Sequence, residues 1–159
     1  DGVKYMEWVE DGFIKTTPGD ATDQQFVTND ILEIAKQYDI QHINFDKWNS
    51  GHFENIMIDE GWEDRIHPFS QNMSSFSGPI KYFERMVLNK RLKHFGNPVL
   101  EWNILNVMLI FDGNENYKFD KKKSKEKIDG AVSATMACAA YLSINEEEKA
   151  YETRGLRIL

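Results

Sequence analysis

The amino-acid sequence predicts an α/β domain in which helices flank a mixed sheet. Short apolar segments that suit strands alternate with longer segments in which apolar residues recur at the spacing of a helix. Turn-forming Gly, Pro and Asn residues separate the two kinds of segment. The 159 residues, 41% of them hydrophobic, are enough for one domain with a proper core.

The first half of the chain contains three predicted strands and two predicted helices: strands at 13–17, 40–46 and 65–68, and helices at 23–38 and 50–61. Asp23 suits the N-cap of the first helix because its carboxylate can accept hydrogen bonds from free amides of the first turn. Alternation along the second strand places Ile43 and Phe45 on one face and Asp46 on the other. Asp46 ends this strand.

The second half is predicted to contain two helices, a hairpin and a long last helix: a loop at 71–78, a helix at 79–90, an extended segment at 92–95, a helix at 97–107, strands at 109–111 and 117–119, and a helix from about 124. Pro79 and Pro98 each suit the first turn of a helix. Asp112 and Gly113 begin a turn between the two hairpin strands.

The last helix contains the one local irregularity. Ile128, Val132 and Met136 follow helical spacing, and Ser124 is the expected N-cap. Asp129 and Gly130 then fall in the second turn, where Gly costs about 1 kcal/mol relative to Ala. Such an exception indicates a functional or closely packed position, because Gly lets another group approach. The alternative is a solvated surface acid near the lysines of the same helix.

Composition excludes several classes of protein. There is no long apolar run and no secretory leader, so we expect no membrane span. Cys138 is the only cysteine, which indicates a reduced, intracellular setting. The four histidines lack metal-ligand spacing, and there is no phosphate-binding GxxxxGK motif. A net charge of -7 argues against a protein that coats nucleic acid, although a local basic segment can still contact phosphates.

The segment 123–132 (KSKEKIDGAV), with 97–102 (NPVLEW) and Asn106-Val107 before it, resembles the C-terminal nuclease domain of the large terminase subunit of tailed bacteriophages. Thr17-Pro18-Gly19 and 45–49 (FDKWN) match in the same order, so the resemblance covers about 5–142. It implies a ribonuclease H-like fold and an endonuclease that uses two Mg²⁺ or Mn²⁺ ions. Those ions prefer oxygen ligands, and a pair can activate water and stabilise a leaving oxygen.

The resemblance assigns Asp46 and Asp129 as catalytic, metal-binding acids. Without it, Asp46 is equally a turn acid bonded to backbone near Asn49. The family's first catalytic Asp lies on a strand that has no counterpart here. Either the missing ligand precedes Asp1, which we favour, or the site is incomplete by nature. Because that strand is central in the family's fold, its absence predicts an exposed sheet edge or strand exchange between chains.

The resemblance also implies double-stranded DNA as a partner, together with the portal, the small terminase subunit and the terminase ATPase domain, in the cytoplasm of an infected or lysogenic bacterium. Candidate phosphate-binding residues are Lys121, Lys122, Lys123, Lys125 and Lys127, although a solvated loop is nearly as good an interpretation. We expect a nuclease domain at 1–142 and a flexible tail at 143–159, where portal contact is implied only by analogy.

Two alternatives remain open. The first is a non-catalytic module that grips DNA or docks on the portal. The second is another enzyme of the same fold, such as a junction resolvase, against which the NPVLEW and KIDG motifs count. A third carboxylate near the first two would discriminate a nuclease from a non-catalytic module.

Overall fold

Helices and two small sheets alternate along the chain, as the sequence predicts. A computed structural model describes residues 4–48 and 50–154, with side chains described up to 145. The helices are α1 Tyr5–Glu10, α2 Gln24–Ala35, α3 Gly51–Asp59, α4 Met73–Leu88, α5 Pro98–Leu105 and α6 Asp129–Arg154. The strands are β1 Ile43–Asp46, β2 Ile66–Phe69, β3 Leu109–Phe111 and β4 Tyr117–Phe119. Within this part of the chain, no helix combines the length and apolar composition that crossing a bilayer requires.

The parallel pair β1–β2 lies between two layers of helices. Ile43 is paired with Ile66 and Asp46 with Phe69, and strand side chains alternate between the two faces. On one face Phe45 packs in a cluster with Ile66 and the fully buried Met57 of α3. On the other face the Asn44 side chain donates to the Met136 carbonyl of α6, at 2.9 Å. The predicted alternation along this strand is confirmed.

The larger core joins α4, α6, β2 and the hairpin. Its buried members are Phe69, Phe76, Ile80, Ile128, Val132 and Met136. Phe76 makes edge-to-face contacts with Phe69 of β2, at 5.1 Å between ring centroids, and with Phe119 of β4, at 5.2 Å. This one ring therefore ties α4 to both sheets.

The α/β class is confirmed, but the described strands do not form one mixed sheet. β1 and β2 form a parallel pair, and β3 and β4 form a separate antiparallel pair. Within the described residues β1 pairs only with β2, so its other edge has no strand partner there. Both strand orientations that the sequence predicts are thus present, in two sheets rather than one.

Two helices begin where local side chains predict. The Asp23 carboxylate accepts from the amides of Gln25 and Phe26, at 2.9 and 3.3 Å. The Asn97 side chain accepts from the Leu100 amide at 3.0 Å, and the helix starts at Pro98. In both cases the cap lies in the same short sequence segment as the amides it satisfies, so sequence alone identifies it.

The predicted strand at 13–17 is wrong. The amides of Phe13 and Ile14 both donate to the Trp8 carbonyl, at 2.8 and 3.1 Å, so these residues fold back onto the end of α1. Free carbonyls at a helix C-terminus accept such bonds readily. The apolar residues therefore end a helix instead of joining a sheet.

The predicted loop at 71–78 is also wrong, because α4 begins at Met73. The Asn72 side chain accepts from the Ser75 amide at 2.9 Å and so caps this helix. Pro79 lies inside the helix rather than in its first turn. Since Pro has no amide hydrogen, the hydrogen bond that residue 79 would donate to Ser75 is missing. Burial of Phe76 and Ser77 accompanies helix formation here.

Helix α6 starts later and ends later than predicted. Ser124 does not cap it: its amide donates to the Asp120 carbonyl at 3.0 Å, within a turn that precedes the helix. The helix then continues through Leu142 to Arg154, so residues 143–154 of the predicted flexible tail are helical. Residues 155–159 lie outside the described part of the chain. The division of the chain at 142 stays a prediction.

The predicted hairpin at 109–119 is confirmed, and Asp112 organises its turn. The Asp112 carboxylate accepts from the Asn114 amide at 2.8 Å, the Asn116 amide at 3.0 Å and the Asn116 side chain at 3.0 Å. These bonds, led by that from the Asn116 side chain, lower the pKa of Asp112 below its ordinary value of 3.8. The folded hairpin therefore binds this proton less readily than the unfolded chain.

We expect Asp112→Asn to weaken the dependence of stability on pH in acid. The contribution of the charged carboxylate is fully present above the ordinary pKa and is lost as the pH falls through the lower folded pKa. The midpoint temperature of thermal unfolding, measured from neutral pH down to about pH 2.5, should thus fall less steeply with decreasing pH in this variant. Glu115→Gln in the same exposed loop is the control. An equally steep fall in Asp112→Asn would contradict the role of this carboxylate.

Candidate functional site

Strand β1 and helix α6 are joined by a hydrogen bond between Asn44 and Met136, and the end of β1 and the start of α6 lie on the same side of that bond. Asn44 bonds to Met136, while His42, earlier on the strand side, lines a cavity with Ser143, later on the helix. The strand thus runs antiparallel to the helix. Asp46 lies about 7 Å beyond Asn44 along β1, and Asp129 lies about 10 Å from Met136 back along α6. Both acids therefore lie on the same side of the contact between Asn44 and Met136.

Asp46 is exposed and held by two hydrogen bonds. Its Oδ1 accepts from the Trp48 amide at 3.0 Å, and its Oδ2 accepts from Gln71 Nε2 at 2.8 Å. The first bond is the turn geometry that the alternative interpretation of Asp46 predicts, although Asn49 itself lies outside the described residues. The second bond comes from Gln71, two residues after the end of β2, and orients the carboxylate. Each oxygen keeps a lone pair for another partner.

Asp129 is the first residue of α6. Its side chain is 69% exposed, and its Oδ1 lies 3.5 Å from Lys121 Nζ. The partner is thus Lys121 rather than a lysine of the same helix. The position in the first turn removes the irregularity seen in the sequence, because an acid there interacts favourably with the helix dipole. Asp129 therefore lies where positive charge, from the helix end and from Lys121, is concentrated.

Gly130 lies in close contact with a side chain of a neighbouring helix. The Asn103 side chain of α5 accepts from the Gly130 amide at 2.6 Å. A Cβ on Gly130 would lie 3.0 Å from Asn103 Oδ1. The sequence correctly indicates a close approach at this position, and the approaching group is a side chain. Asn103 and Gln71 are the two residues that the sequence interpretation missed.

All five candidate DNA-binding lysines are exposed in the segment before α6. Asp120 shapes this segment by accepting from the amides of Lys122 and Lys123, at 3.1 and 3.2 Å. Lys121 pairs with Asp129, and Lys123 lies 3.7 Å from Asp120. Within the described residues, the other three lysines of the set form no ion pair: Lys122, Lys125 and Lys127. The segment therefore presents cations directly beside Asp129.

The tryptophans divide between packing and exposure. Trp102 packs against Trp8, at 5.3 Å between ring centroids, and Trp62 borders the cluster around Met57. Trp48, in contrast, is 88% exposed. Its backbone amide donates to Asp46, so Trp48 belongs to the turn that holds this acid.

The two candidate acids are not part of any larger metal-binding cluster in the described part of the chain. Among its residues, no three His, Cys, Asp or Glu side chains lie close enough together to hold a metal ion. Two carboxylates supply the oxygen ligands that Mg²⁺ and Mn²⁺ prefer. The chemistry of these two side chains thus fits a divalent metal ion.

Comparison with known proteins gives one consistent family. A family model described as the endonuclease domain of the terminase large subunit matches residues 1–145. The large terminase subunit of Enterobacteria phage HK97 is 33% identical over 140 residues, which are 88% of this chain and 28% of that protein. Protein YmfN of Escherichia coli K12 is 27% identical over 163 aligned positions, covering 98% of this chain and 35% of YmfN.

The crystal structure of the HK97 large terminase is similar in fold. It matches with a TM-score of 0.80 and 33% identity over 86% of this chain and 29% of that one. The chain thus spans about a third or less of the length of the relatives that it matches. The family match, which extends from residue 1 to residue 145, includes both candidate acids, Asp46 and Asp129.

Proposed function

The chain belongs to the family of large-terminase endonuclease domains, and we propose that it hydrolyses phosphodiester bonds of double-stranded DNA with divalent metal ions bound by Asp46 and Asp129. The substrate would be concatemeric phage DNA, cut when packaging starts and ends. The observation that carries this proposal is the displacement of both acids toward one end of the β1–α6 contact. We also infer a ribonuclease H-like fold, because the parallel strands β1 and β2 lie between two layers of helices.

The residues around Asp46 and Asp129 would have different roles in cleavage. Gln71 orients Asp46, and the start of α6 orients Asp129. Metal ions bound there would supply an activated water molecule and stabilisation of the leaving oxygen. Lys121 lies beside Asp129 and is placed to contact a phosphate when that ion pair opens. Two ions require a further acid beyond Asp46 and Asp129, so we expect cleavage to depend on where that ligand comes from.

Nicking of supercoiled plasmid in Mn²⁺ tests this function. This chain is compared with a version extended upstream, each with and without a chelator. Cleavage that requires the metal, and that appears or rises in the extended protein, supports an endonuclease whose ligand set is completed upstream. If the extended protein is folded and does not cut DNA with Mg²⁺ or Mn²⁺, the endonuclease proposal is wrong.

The second candidate is a non-catalytic module that grips DNA or docks on the portal. The observation in its favour is that the described residues contain no group of three metal-binding side chains. This candidate predicts DNA binding without cleavage in the assay above. For either function we propose the packaging machinery as the setting, with the portal, the small terminase subunit and the ATPase domain as partners.

The lysine segment before α6 should set the salt dependence of DNA binding. We expect replacement of Lys122, Lys125 and Lys127 by Gln to weaken binding and to reduce the slope of log K against log salt by about 2 to 3, because each phosphate contact contributes about 0.9. Fluorescence anisotropy with duplex DNA at several salt concentrations measures this slope.

The matched control replaces three cations of a second basic segment, Lys90, Arg91 and Lys93, by Gln. These residues are exposed and follow the end of α4. The control should change the slope much less. Equal slopes for the two triple variants would show that binding depends on overall charge and not on the segment beside Asp129.

A further inference from the structure

We propose that Asn103 is a positioning residue that fixes the metal-binding carboxylate of Asp129; this inference rests on the proposed function. Asn103 lies on α5, and its side chain is buried, with 3% of the residue exposed. Its Oδ1 accepts from the Gly130 amide at 2.6 Å, and its Nδ2 donates to the Val99 carbonyl at 3.0 Å. Because the Nδ2 is bonded within α5, the oxygen faces α6.

Helix α6 has no N-cap of its own. The residue before it is Ile128, whose apolar side chain cannot accept a hydrogen bond, although its carbonyl accepts from the Val132 amide at 3.0 Å. The first amides of a helix lack partners within the helix and need acceptors from elsewhere. Asn103 supplies one from a different helix, 27 residues earlier in the chain. It thus performs the task of an N-cap across an interface between helices.

This arrangement fixes the backbone on both sides of Asp129. Ile128 is 3% exposed and belongs to the larger core, so the residue before Asp129 is anchored by packing. The residue after it is anchored by the bond from Gly130 to Asn103. Both chain neighbours of Asp129 are thus anchored, while its own side chain is exposed. The carboxylate therefore leaves the backbone from a defined point, as a metal ligand requires.

The absence of a side chain at Gly130 leaves room for the hydrogen bond with Asn103. An added Cβ would approach Asn103 Oδ1 to 3.0 Å and Asn103 Cγ to 3.4 Å. The contact with Oδ1 is tighter than most Cβ contacts, so Asn103 or the first turn of α6 would have to shift by a few tenths of an ångström. Asn103, Asp129 and Gly130 therefore act as one unit, in which the glycine permits the contact that holds the acid.

The test measures Mn²⁺ binding to the full-length protein by electron paramagnetic resonance, without a cleavage assay. We expect Asn103→Ala to raise the Mn²⁺ dissociation constant by about 10- to 100-fold, the range typical of groups that orient metal ligands. Hydrogen exchange of the peptide around Gly130, followed by mass spectrometry, should become faster in the same variant. Asn103→Asp keeps an acceptor for the Gly130 amide and should recover most of the affinity.

The matched control is Asn106→Ala. Asn106 lies at the end of the same helix and donates its side-chain amide to the Trp102 carbonyl at 2.8 Å, a bond that stays within α5. Its loss should leave the Mn²⁺ dissociation constant within about twofold of the wild-type value. If Asn103→Ala does not fold, the Gly130→Ala variant tests the proposal instead, because its added Cβ crowds the same contact while Asn103 stays in place. A Mn²⁺ dissociation constant raised severalfold in Gly130→Ala supports the proposal.

Two results would overturn the inference, and they can be told apart. If Asp129→Asn abolishes Mn²⁺ binding but neither Asn103→Ala nor Gly130→Ala weakens it, Asn103 does not position the ligand and the proposed function stands. If Asp129→Asn leaves Mn²⁺ binding unchanged, Asp129 is not a ligand, and the proposed function fails together with the role of Asn103.

Discussion

Replacing Asp129 by Asn is expected to slow metal-dependent DNA cleavage by about 10³-fold or more, while the domain stays folded. The amide that replaces the carboxylate carries no charge and is a poor ligand for Mg²⁺ or Mn²⁺. Asp129 is largely exposed, and its ion pair with Lys121 spans 3.5 Å at the surface, so its loss changes stability by at most about 1 kcal/mol. Single-turnover nicking in Mn²⁺ measures the effect, and circular dichroism verifies the fold.

Glu126→Gln is the matched control for this prediction. Glu126 is an exposed acid three residues before Asp129, and its replacement removes the same charge from the same segment. Its cleavage rate should stay close to the wild-type rate. If both variants cut DNA at wild-type rates, Asp129 is a solvated surface acid, which is the alternative that its exposure allows.

The largest effect on stability is expected for Phe76→Ala. Phe76 is 2% exposed and contacts one ring in each sheet, Phe69 and Phe119. Truncation removes both contacts and leaves a cavity between α4 and the sheets, so the free energy of unfolding should fall by about 3 to 5 kcal/mol. Urea denaturation monitored by fluorescence gives this difference.

Leu88→Ala on the same helix is the control for that experiment. Leu88 ends α4 and is 74% exposed, so its truncation should change the free energy of unfolding by no more than about 0.5 kcal/mol. A loss below about 1 kcal/mol in Phe76→Ala would mean that the core collapses around the deletion or that this ring does not join the two sheets.

Local signals were enough to predict most of the elements. The helices that begin after Asp23 and Asn97 carry their caps in adjacent sequence, and the hairpin carries its turn residues between its strands. Period-two alternation identified the strand that ends at Asp46. In each case the interactions that decide the structure join residues only a few positions apart, and a single sequence displays those directly.

The errors occur where a distant or competing interaction decides. Ser124 looked like the cap of the last helix, but the group that caps it is Asn103, on another helix. At α4, Pro79 looked like a first-turn residue, while Asn72 had already started the helix. Neither start follows from periodicity. At α4, the serines of 71–78 suit a loop as well as a helix that is stabilised by burial of Phe76.

The two candidate acids came from the resemblance, because each is an ordinary surface acid by its spacing alone. What places them on the same side of one contact is the packing of β1 on α6 through Asn44 and Met136, residues 92 positions apart. Gln71 was missed for the same reason, since its bond to Asp46 spans 25 positions. The assignment of both acids as metal ligands stays a proposal.

The most direct test is the position of Mn²⁺ in crystals of the full-length protein, located by its anomalous scattering. We expect a Mn²⁺ ion bound by a carboxylate oxygen of Asp46 and by one of Asp129, at about 2.0 to 2.3 Å from each. Binding should disappear in crystals of the Asp129→Asn variant. Mn²⁺ bound at some other group of side chains, with neither of these acids among its ligands, would contradict the account.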